Sequence, residues 1–320
     1  MTQFIRFLSQ NTLDQLPLST QAIVASIEHL LLGRNGTKVW NAPKSVITPP
    51  DGRYMMATLA AADDPQILAV KSLLLNPKNS GRGMQSIYAL VTLLDSDTGM
   101  PLSVLNGGWV TAVRTAGLSA VAAKRLARID SSVAAFIGCG VQAHSHLETF
   151  AELFPLTEIR VYGRGAESRN RFCLHAEKLG LKVIACDTAR EAVSVADIIV
   201  TSVTISPELK PFIEAHWLKT GAFVTMTDLA APWHAESMSA FDCIVIDDLE
   251  QEANMPNPLV NPALVAGDLT ALVNGKITGR ACSKSRTAFV FRGLALGDLA
   301  VSALAYQCAC DNSKGLLVEI

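Results

Sequence analysis

The sequence predicts an α/β fold, a doubly wound parallel β-sheet joined to a second part of α+β character. Three observations carry that reading. Short apolar, strand-like runs alternate with helical stretches from residue 116 to about residue 248. A glycine-rich turn, Gly138-Cys139-Gly140-Val141-Gln142-Ala143, directly follows one of those runs. Residues 1 to about 115 lack this rhythm and mix both kinds of signal, and the chain returns to a helical run near its end.

Taken in order, Ile23, Ile27, Leu30 and Leu31 set a helical period that predicts a helix over Thr20–Leu32, stopped by Gly33. Extended runs at Lys44–Thr48 and Tyr54–Leu59 flank the turn Pro49-Pro50-Asp51-Gly52. Ile67–Leu75 reads as a strand with one internal charge, Lys71; Tyr88–Asp95 reads as another, closed by Asp97-Thr98-Gly99. Val133–Ile137 is a buried strand, and a helix runs from after Gly140 to Leu153. Strand Glu158–Tyr162, helix Glu167–Leu179 and strands Lys182–Cys186, Ile198–Val203, Ala222–Thr227 and Cys243–Asp247 follow. Strands this uniformly apolar belong in a parallel sheet covered on both faces. The last helix runs from Leu294 to about Cys310.

Composition narrows the function. Hydrophobic residues are 49% and charged residues 18%, which excludes a disordered chain. With 27 basic against 29 acidic residues and no basic block, nucleic acid and anionic membrane are not expected partners. The N-terminal run carries no signal-peptide pattern, and Leu294–Ala309 is short for a membrane span and contains Asp298. The 7 cysteines form no CxxC pair, as expected of reduced thiols in a cytoplasmic protein.

The glycine turn has the GxGxxA pattern where a dinucleotide fingerprint requires it, between strand and helix. Gly138 permits the tight turn, Gly140 lets a pyrophosphate approach the backbone, and Ala143 allows close helix–strand packing. The phosphates would meet free N–H groups at the helix N-terminus. At the end of the second strand, Val161-Tyr162-Gly163-Arg164 offers an arginine and no acid. Arginine suits a 2′-phosphate, so NADPH is expected ahead of NADH. The plainer alternative for Arg164 is a solvated loop residue.

The segment Asn106-Gly107-Gly108-Trp109-Val110-Thr111-Ala112-Val113-Arg114-Thr115-Ala116, the Gly138 turn and Gly293-Leu294-Ala295-Leu296-Gly297-Asp298-Leu299-Ala300 occur in one order. Together they resemble the ornithine cyclodeaminase/μ-crystallin family over nearly the whole chain. The run Arg286–Asp298 is most similar to that of bacterial Δ1-pyrroline-2-carboxylate reductases. The resemblance implies a homodimer of two-part subunits. Residues 116–287 would form a Rossmann-type dinucleotide-binding domain, and residues 1–115 with 288–320 a substrate-binding and dimerisation domain.

The resemblance also implies roles. Lys71, inside an apolar strand where an unpaired charge is costly, would contact a substrate carboxylate and serve in catalysis; an edge-strand lysine facing water is the alternative. Arg114 would clamp that carboxylate with two parallel hydrogen bonds; otherwise it is a solvated helix-start residue. Lys44 stands where many relatives carry arginine and offers a point charge in place of a fork. Asp228, at the end of Ala222–Thr227, would be the acid/base group, the alternative being a helix cap before Ala230–Ser237. Cofactor contacts are expected from Thr115, Gly138, Gly140, Val141, Gln142, Ala143, Arg164, Ser202, Val203, Met226 and Asp228. No metal site is expected, because His144 and His146 point apart on a helix. Cys139 reads as a small filler.

The implied activity is NAD(P)H-dependent reduction of a cyclic ketimine carboxylate, giving L-proline or L-pipecolate. The alternatives within the family are an NAD+-dependent ornithine cyclodeaminase, an alanine dehydrogenase, and a non-catalytic μ-crystallin-type binder of NADPH and a ligand.

Overall fold

The computed structural model describes residues 3–34, 38–206 and 208–320. They form two compact units, Met1–Arg114 with Ala295–Ile320, and Thr115–Leu294.

In the first unit the strands are β1 (Phe4–Leu8), β2 (Val39–Asn41), β3 (Ser45–Ile47), β4 (Tyr54–Asp63), β5 (Gln66–Leu75), β6 (Ile87–Asp95), β7 (Pro101–Asn106) and, from the chain's end, β16 (Leu316–Glu319). They build one mixed sheet in the order β16-β1-β7-β6-β5-β4-β2, with β3 also on β4. Alternation along β6 explains how it packs: Val91 and Leu93 are fully buried while Tyr88 and Leu90 are exposed. Helices α1 (Gln10–Leu13) and α2 (Thr20–Gly33) follow β1, and the C-terminal α9 (Ala295–Asp311) lies against α2, β4, β5 and β6. The α9 helix is buried almost all round, which is why its sequence shows no polar face. Because β5 pairs with both β4 and β6, Lys71 is no edge residue.

The second unit is a parallel sheet: β8 (Val133–Ile137), β9 (Glu158–Tyr162), β10 (Lys182–Ala185), β11 (Ile198–Thr201), β12 (Phe223–Met226), β13 (Cys243–Ile246), β14 (Val265–Asp268) and β15 (Thr287–Val290). Its order is β10-β9-β8-β11-β12-β15-β13-β14, with every neighbouring pair parallel. The chain reverses direction across the sheet between β8 and β11, the position at which such sheets open a ligand crevice. Helix α4 (Val141–Leu153) follows β8 and α5 (Ala166–Lys178) follows β9, with the shorter α6 (Ala189–Val193), α7 (Leu249–Ala253) and α8 (Leu269–Val273) later. The apolar core includes Phe136, Phe172, Phe223 and Phe289, each fully buried.

Three features bear on the sequence reading. The expected domain limit at 287/288 cuts into β15, which is inserted between β12 and β13, so residues 288–294 belong with the parallel sheet. The helix from Ala230 that the alternative reading of Asp228 required is not formed; Leu229 and Ala230 have φ of 58° and 56°, and a 3-10 turn, Ala235–Ala240, follows. Helix α3 runs over Gly107–Leu126, so Arg114 lies inside it and not at the helix start considered for it. No helix among the described residues is long and apolar enough to cross a membrane.

Candidate active site

In the second unit β8 ends at Ile137 and the chain turns through Gly138 at φ +98°, where a Cβ would stand 2.6 Å from the Ser202 carbonyl oxygen. Only glycine allows β8 and the exit of β11 to meet this closely. Gly138 N–H donates to Tyr162 O and Ser202 N–H to Ile137 O, both at 2.9 Å. A cavity of about 500 Å³ opens here, lined among others by Gly138, Gly140, Gly163, Arg164, Ser202 and Val203.

Gly140 is the N-cap of α4 and no side chain caps that helix. Nothing lies within 4 Å of where a Gly140 Cβ would be. The helix therefore turns uncapped N–H groups and the positive end of its dipole toward open space. Gln142 Oε1 and Ser202 Oγ are buried with no hydrogen-bond partner among the described residues. A glycine cradle, a free helix terminus and the unpartnered Ser202 hydroxyl, which can donate, fit a dinucleotide pyrophosphate. Of the expected cofactor residues, Gly138, Gly140, Arg164, Ser202 and Val203 line the cavity. Thr115, Val141, Gln142, Ala143, Met226 and Asp228 are not among its lining. Cys139 is packed under Gly163, whose Cβ would meet its Sγ at 2.8 Å. Burial, together with nearby Cys173, pushes that thiol up to about 11, so it stays protonated.

Asp228 is 1% exposed and is tied to this wall. Its Oδ2 accepts from Val203 N–H at 3.1 Å and its Oδ1 from Thr201 Oγ1 at 2.9 Å. Trp233 Nε1 donates to Thr201 Oγ1 at 3.4 Å. Burial raises the Asp228 carboxyl to about 6 against the opposing pull of those two hydrogen bonds. The carboxylate thus makes no helix cap. It is an acid poised near neutrality, followed by two left-handed residues of the kind that cluster at functional sites.

The α4 histidines separate as their spacing requires. His146 is fully buried, with Nδ1 2.7 Å from Gln142 O and Nε2 2.8 Å from Ser119 Oγ, which in turn lies 2.8 Å from Thr225 Oγ1. Burial lowers it to about 4, so it is a neutral strut between α4, α3 and β12. His144 instead meets His175, Nδ1 to Nδ1 at 2.7 Å.

The first unit holds a second polar centre. Thr58 and Lys71 pair across β4 and β5, so both side chains stand on the face covered by α9. Lys71 Nζ lies 2.8 Å from Asp298 Oδ1 and 3.4 Å from Thr111 Oγ1. Arg114 Nε is 3.0 Å from the same Asp298 oxygen, and Thr58 Oγ1 donates to Asp298 Oδ2 at 3.2 Å. Burial lowers the Lys71 ammonium to about 8; Asp298 opposes that and Arg114 adds to it. Burial likewise disfavours the Asp298 charge, but Lys71 and Arg114 outweigh it and its carboxyl lies below the usual range. Arg114 is 7% exposed, and its Nη1 has no hydrogen-bond partner among the described residues. Lys44 directly precedes the Ser45–Ala57 pair, which puts its backbone beside Thr58, and it is half-buried. Lys71 and Arg114 are thus brought together, with Lys44 just before β3.

Asp298 escaped the residue-level assignment. Its signal was present, an acid among the apolar residues of the first turns of α9, a placement that burial tolerates only with cationic partners.

The chain is similar to several known proteins over most of its length. The sequence pattern of the Ornithine cyclodeaminase/mu-crystallin family matches residues 6–313. Ketimine reductase mu-crystallin of Rattus norvegicus is 32% identical over 257 residues, 79% of this chain and 79% of its own. Δ1-pyrroline-2-carboxylate reductase of Thermococcus litoralis, solved in complex with NADH and L-proline, superposes with a TM-score of 0.90 at 27% identity, over 98% of this chain and 100% of that one. An archaeal alanine dehydrogenase dimer with bound NAD gives a TM-score of 0.87 at 26% identity, over 99% of each chain.

Proposed function

The chain belongs to the ornithine cyclodeaminase/mu-crystallin family, and from that membership we propose that it is an NAD(P)H-dependent oxidoreductase that reduces the C=N bond of a small cyclic ketimine carboxylate. Δ1-Pyrroline-2-carboxylate, giving L-proline, is the first substrate, and Δ1-piperideine-2-carboxylate, giving L-pipecolate, the second. The observation that carries this reading is the pair of buried cations, Lys71 and Arg114, with Arg114 Nη1 unpartnered. A buried guanidinium with a spare donor suits a small planar carboxylate. The rat ketimine reductase and the archaeal reductase solved with NADH and L-proline support the same chemistry.

In this reading the Gly138–Gly140 turn and the α4 N-terminus hold the pyrophosphate of a nicotinamide dinucleotide, and Arg164 at the cavity wall favours the 2′-phosphate of NADPH, with NADH also used. Bound there, the dinucleotide supplies the hydride. Lys71 and Arg114 bind the substrate carboxylate and fix the ring, and Lys44 adds a more exposed positive charge. Asp228, protonated below about pH 6, shares its proton with the ring nitrogen and so makes the imine carbon electrophilic. Positioning and charge are the protein's share of catalysis.

A homodimer is part of the proposal. The outer face of the β3–β6 sheet exposes Ile47 (63%), Tyr88 (49%) and Leu90 (49%) around a groove of about 700 Å³. An apolar face of this kind marks an association surface, and the similar archaeal alanine dehydrogenase is a dimer.

The test is spectrophotometric. NADPH oxidation is followed with each cyclic imine, and ammonia is measured after incubation with ornithine and NAD+. Rapid oxidation with pyrroline carboxylate is expected. Ammonia release would transfer the chain to the cyclodeaminases, oxidation only with pyruvate and ammonia to the alanine dehydrogenases, and no turnover in any arm to a ligand-binding role.

A further inference from the structure

Asp298 has no role in the chemistry above, yet the polar groups of the first unit's centre converge on it. Its Oδ1 meets both Lys71 Nζ, at 2.8 Å, and Arg114 Nε, at 3.0 Å, while Thr58 Oγ1 occupies Oδ2 at 3.2 Å. It is 2% exposed, and the α9 helix that carries it is packed against β4, β5 and β6. We propose that Asp298 is the positioning residue of this centre, holding the Lys71 amine and the Arg114 guanidinium side by side so that one substrate carboxylate meets both. The identity of that carboxylate rests on the ketimine reading; the constellation itself does not.

The physical argument turns on two like charges in a buried place. Both cations contact one oxygen, so they are close neighbours, and their repulsion is offset only by a shared anion. The groups facing Lys71 are Asp298 from α9, Arg114 and Thr111 from α3, and Thr58 from β4, with the Lys44 backbone, just before β3, beside Thr58. Of the influences on Lys71, only Asp298 favours the charged amine; burial and Arg114 oppose it. Without Asp298, Lys71 loses its proton at lower pH and swings free of Arg114. A substrate carboxylate then finds one cation where it had met two. Thr58 spends its hydroxyl on the outer oxygen, which leaves Oδ1 for the cations.

The experiment is Asp298→Asn, which keeps the shape and removes the charge. Binding of pyrrole-2-carboxylate, a stable planar ring carboxylate, is measured by calorimetry. Reduction of Δ1-pyrroline-2-carboxylate is measured from about pH 6 to about pH 10. In the unaltered protein KM rises above about pH 8 as Lys71 loses its charge. In Asp298→Asn, KM near neutral pH and the pyrrole-2-carboxylate Kd both increase about tenfold or more, the rise in KM moves to lower pH, and kcat stays within about threefold. NADH affinity and circular dichroism report whether the variant is folded. If it is not, Thr58→Val decides, with a KM increase of about two- to fivefold and a smaller downward move of the pH limb.

A folded Asp298→Asn with unchanged KM, Kd and pH limb overturns the proposal, as does a loss of kcat at constant KM. An unaltered protein that reduces imines while Asp298→Asn behaves like it sinks this inference alone. An unaltered protein that reduces no imine sinks the functional reading, and the calorimetric comparison still decides the role of Asp298.

Discussion

Thr201 donates its hydroxyl proton to Asp228 Oδ1 at 2.9 Å, and Trp233 Nε1 in turn donates to the Thr201 oxygen at 3.4 Å. This chain ties the ionisation of the acid to its neighbours. Burial raises the carboxyl to about 6, and the Thr201 bond pulls the other way by favouring the charged form. Imine reduction consumes a proton, so kcat/KM for reduction should fall as pH rises through about 6. Thr201→Val removes a stabiliser of the carboxylate and should move that limb to higher pH. A pH–rate profile of both proteins checks it; a limb that stays put or moves down contradicts the assigned role.

Asp228 should also trade stability for activity. Its folded pKa lies above the ordinary 3.8, so the ionised group weakens the fold above about pH 6, and that cost fades as pH falls toward the ordinary value. Asp228→Asn should therefore raise the melting temperature at pH near 8, by a stabilisation on the order of 1–3 kcal/mol. Turnover should drop by about 10²- to 10⁴-fold. NADPH affinity should remain close to normal. Calorimetry and steady-state kinetics on one preparation test all three parts together.

Arg164 lines the cavity beyond the glycine turn and has no acidic neighbour at the end of β9. Its removal should separate the two coenzymes. Arg164→Ala should raise KM for NADPH about tenfold or more while leaving KM for NADH within about twofold. Parallel losses for both coenzymes would mean that the guanidinium does not meet the 2′-phosphate.

Gly138 gives a sharper test of the cradle. Its φ of +98° and the 2.6 Å approach of a Cβ to Ser202 O leave no room for any side chain. Gly138→Ala should destabilise the second unit by about 1–3 kcal/mol and abolish dinucleotide binding. Gly140→Ala, in open space at the same turn, should leave stability nearly unchanged and impair only the nucleotide's approach. The contrast between the two melting curves, with and without NADH, is the measurement.

Much of this was readable from residues alone, for physical reasons that differ from place to place. The GxGxxA turn is a local device, since a turn, a close approach and a packed helix need those small residues in sequence; Gly138 takes the positive φ and Gly140 faces open space. The strands of the parallel sheet were legible because burial on both faces demands uninterrupted apolar runs. Strand β15 was not, because its place between β12 and β13 depends on a return of the chain that no local pattern encodes. Asp298 was visible only as a misplaced charge, and its partners Lys71 and Arg114 lie 227 and 184 residues away in sequence, so their meeting is a tertiary fact. Asp228 is legible as an acid at a strand end, but the two left-handed residues after it, which stand where the alternative reading put a helix, come from the fold around them.

The outer face of the first unit's sheet carries the last prediction. Along β6 the inward residues Val91 and Leu93 are fully buried, whereas Tyr88 and Leu90 on the opposite face are about half exposed. Leu90 pairs with Ser72 on β5 and Asn106 on β7, so a charge placed there sits at the middle of the face and not at its rim. A soluble monomer seldom shows so much contiguous apolar surface, and an unpaired charge buried in an interface is costly. Leu90→Asp should therefore convert a dimer to a monomer in sedimentation equilibrium while circular dichroism stays unchanged, because the side chain makes no part of the monomer's core. Leu93→Asp, on the buried face of the same strand, should unfold the first unit instead. An unaltered protein that sediments as a monomer, or a Leu90→Asp variant that remains a dimer, would place the association surface elsewhere.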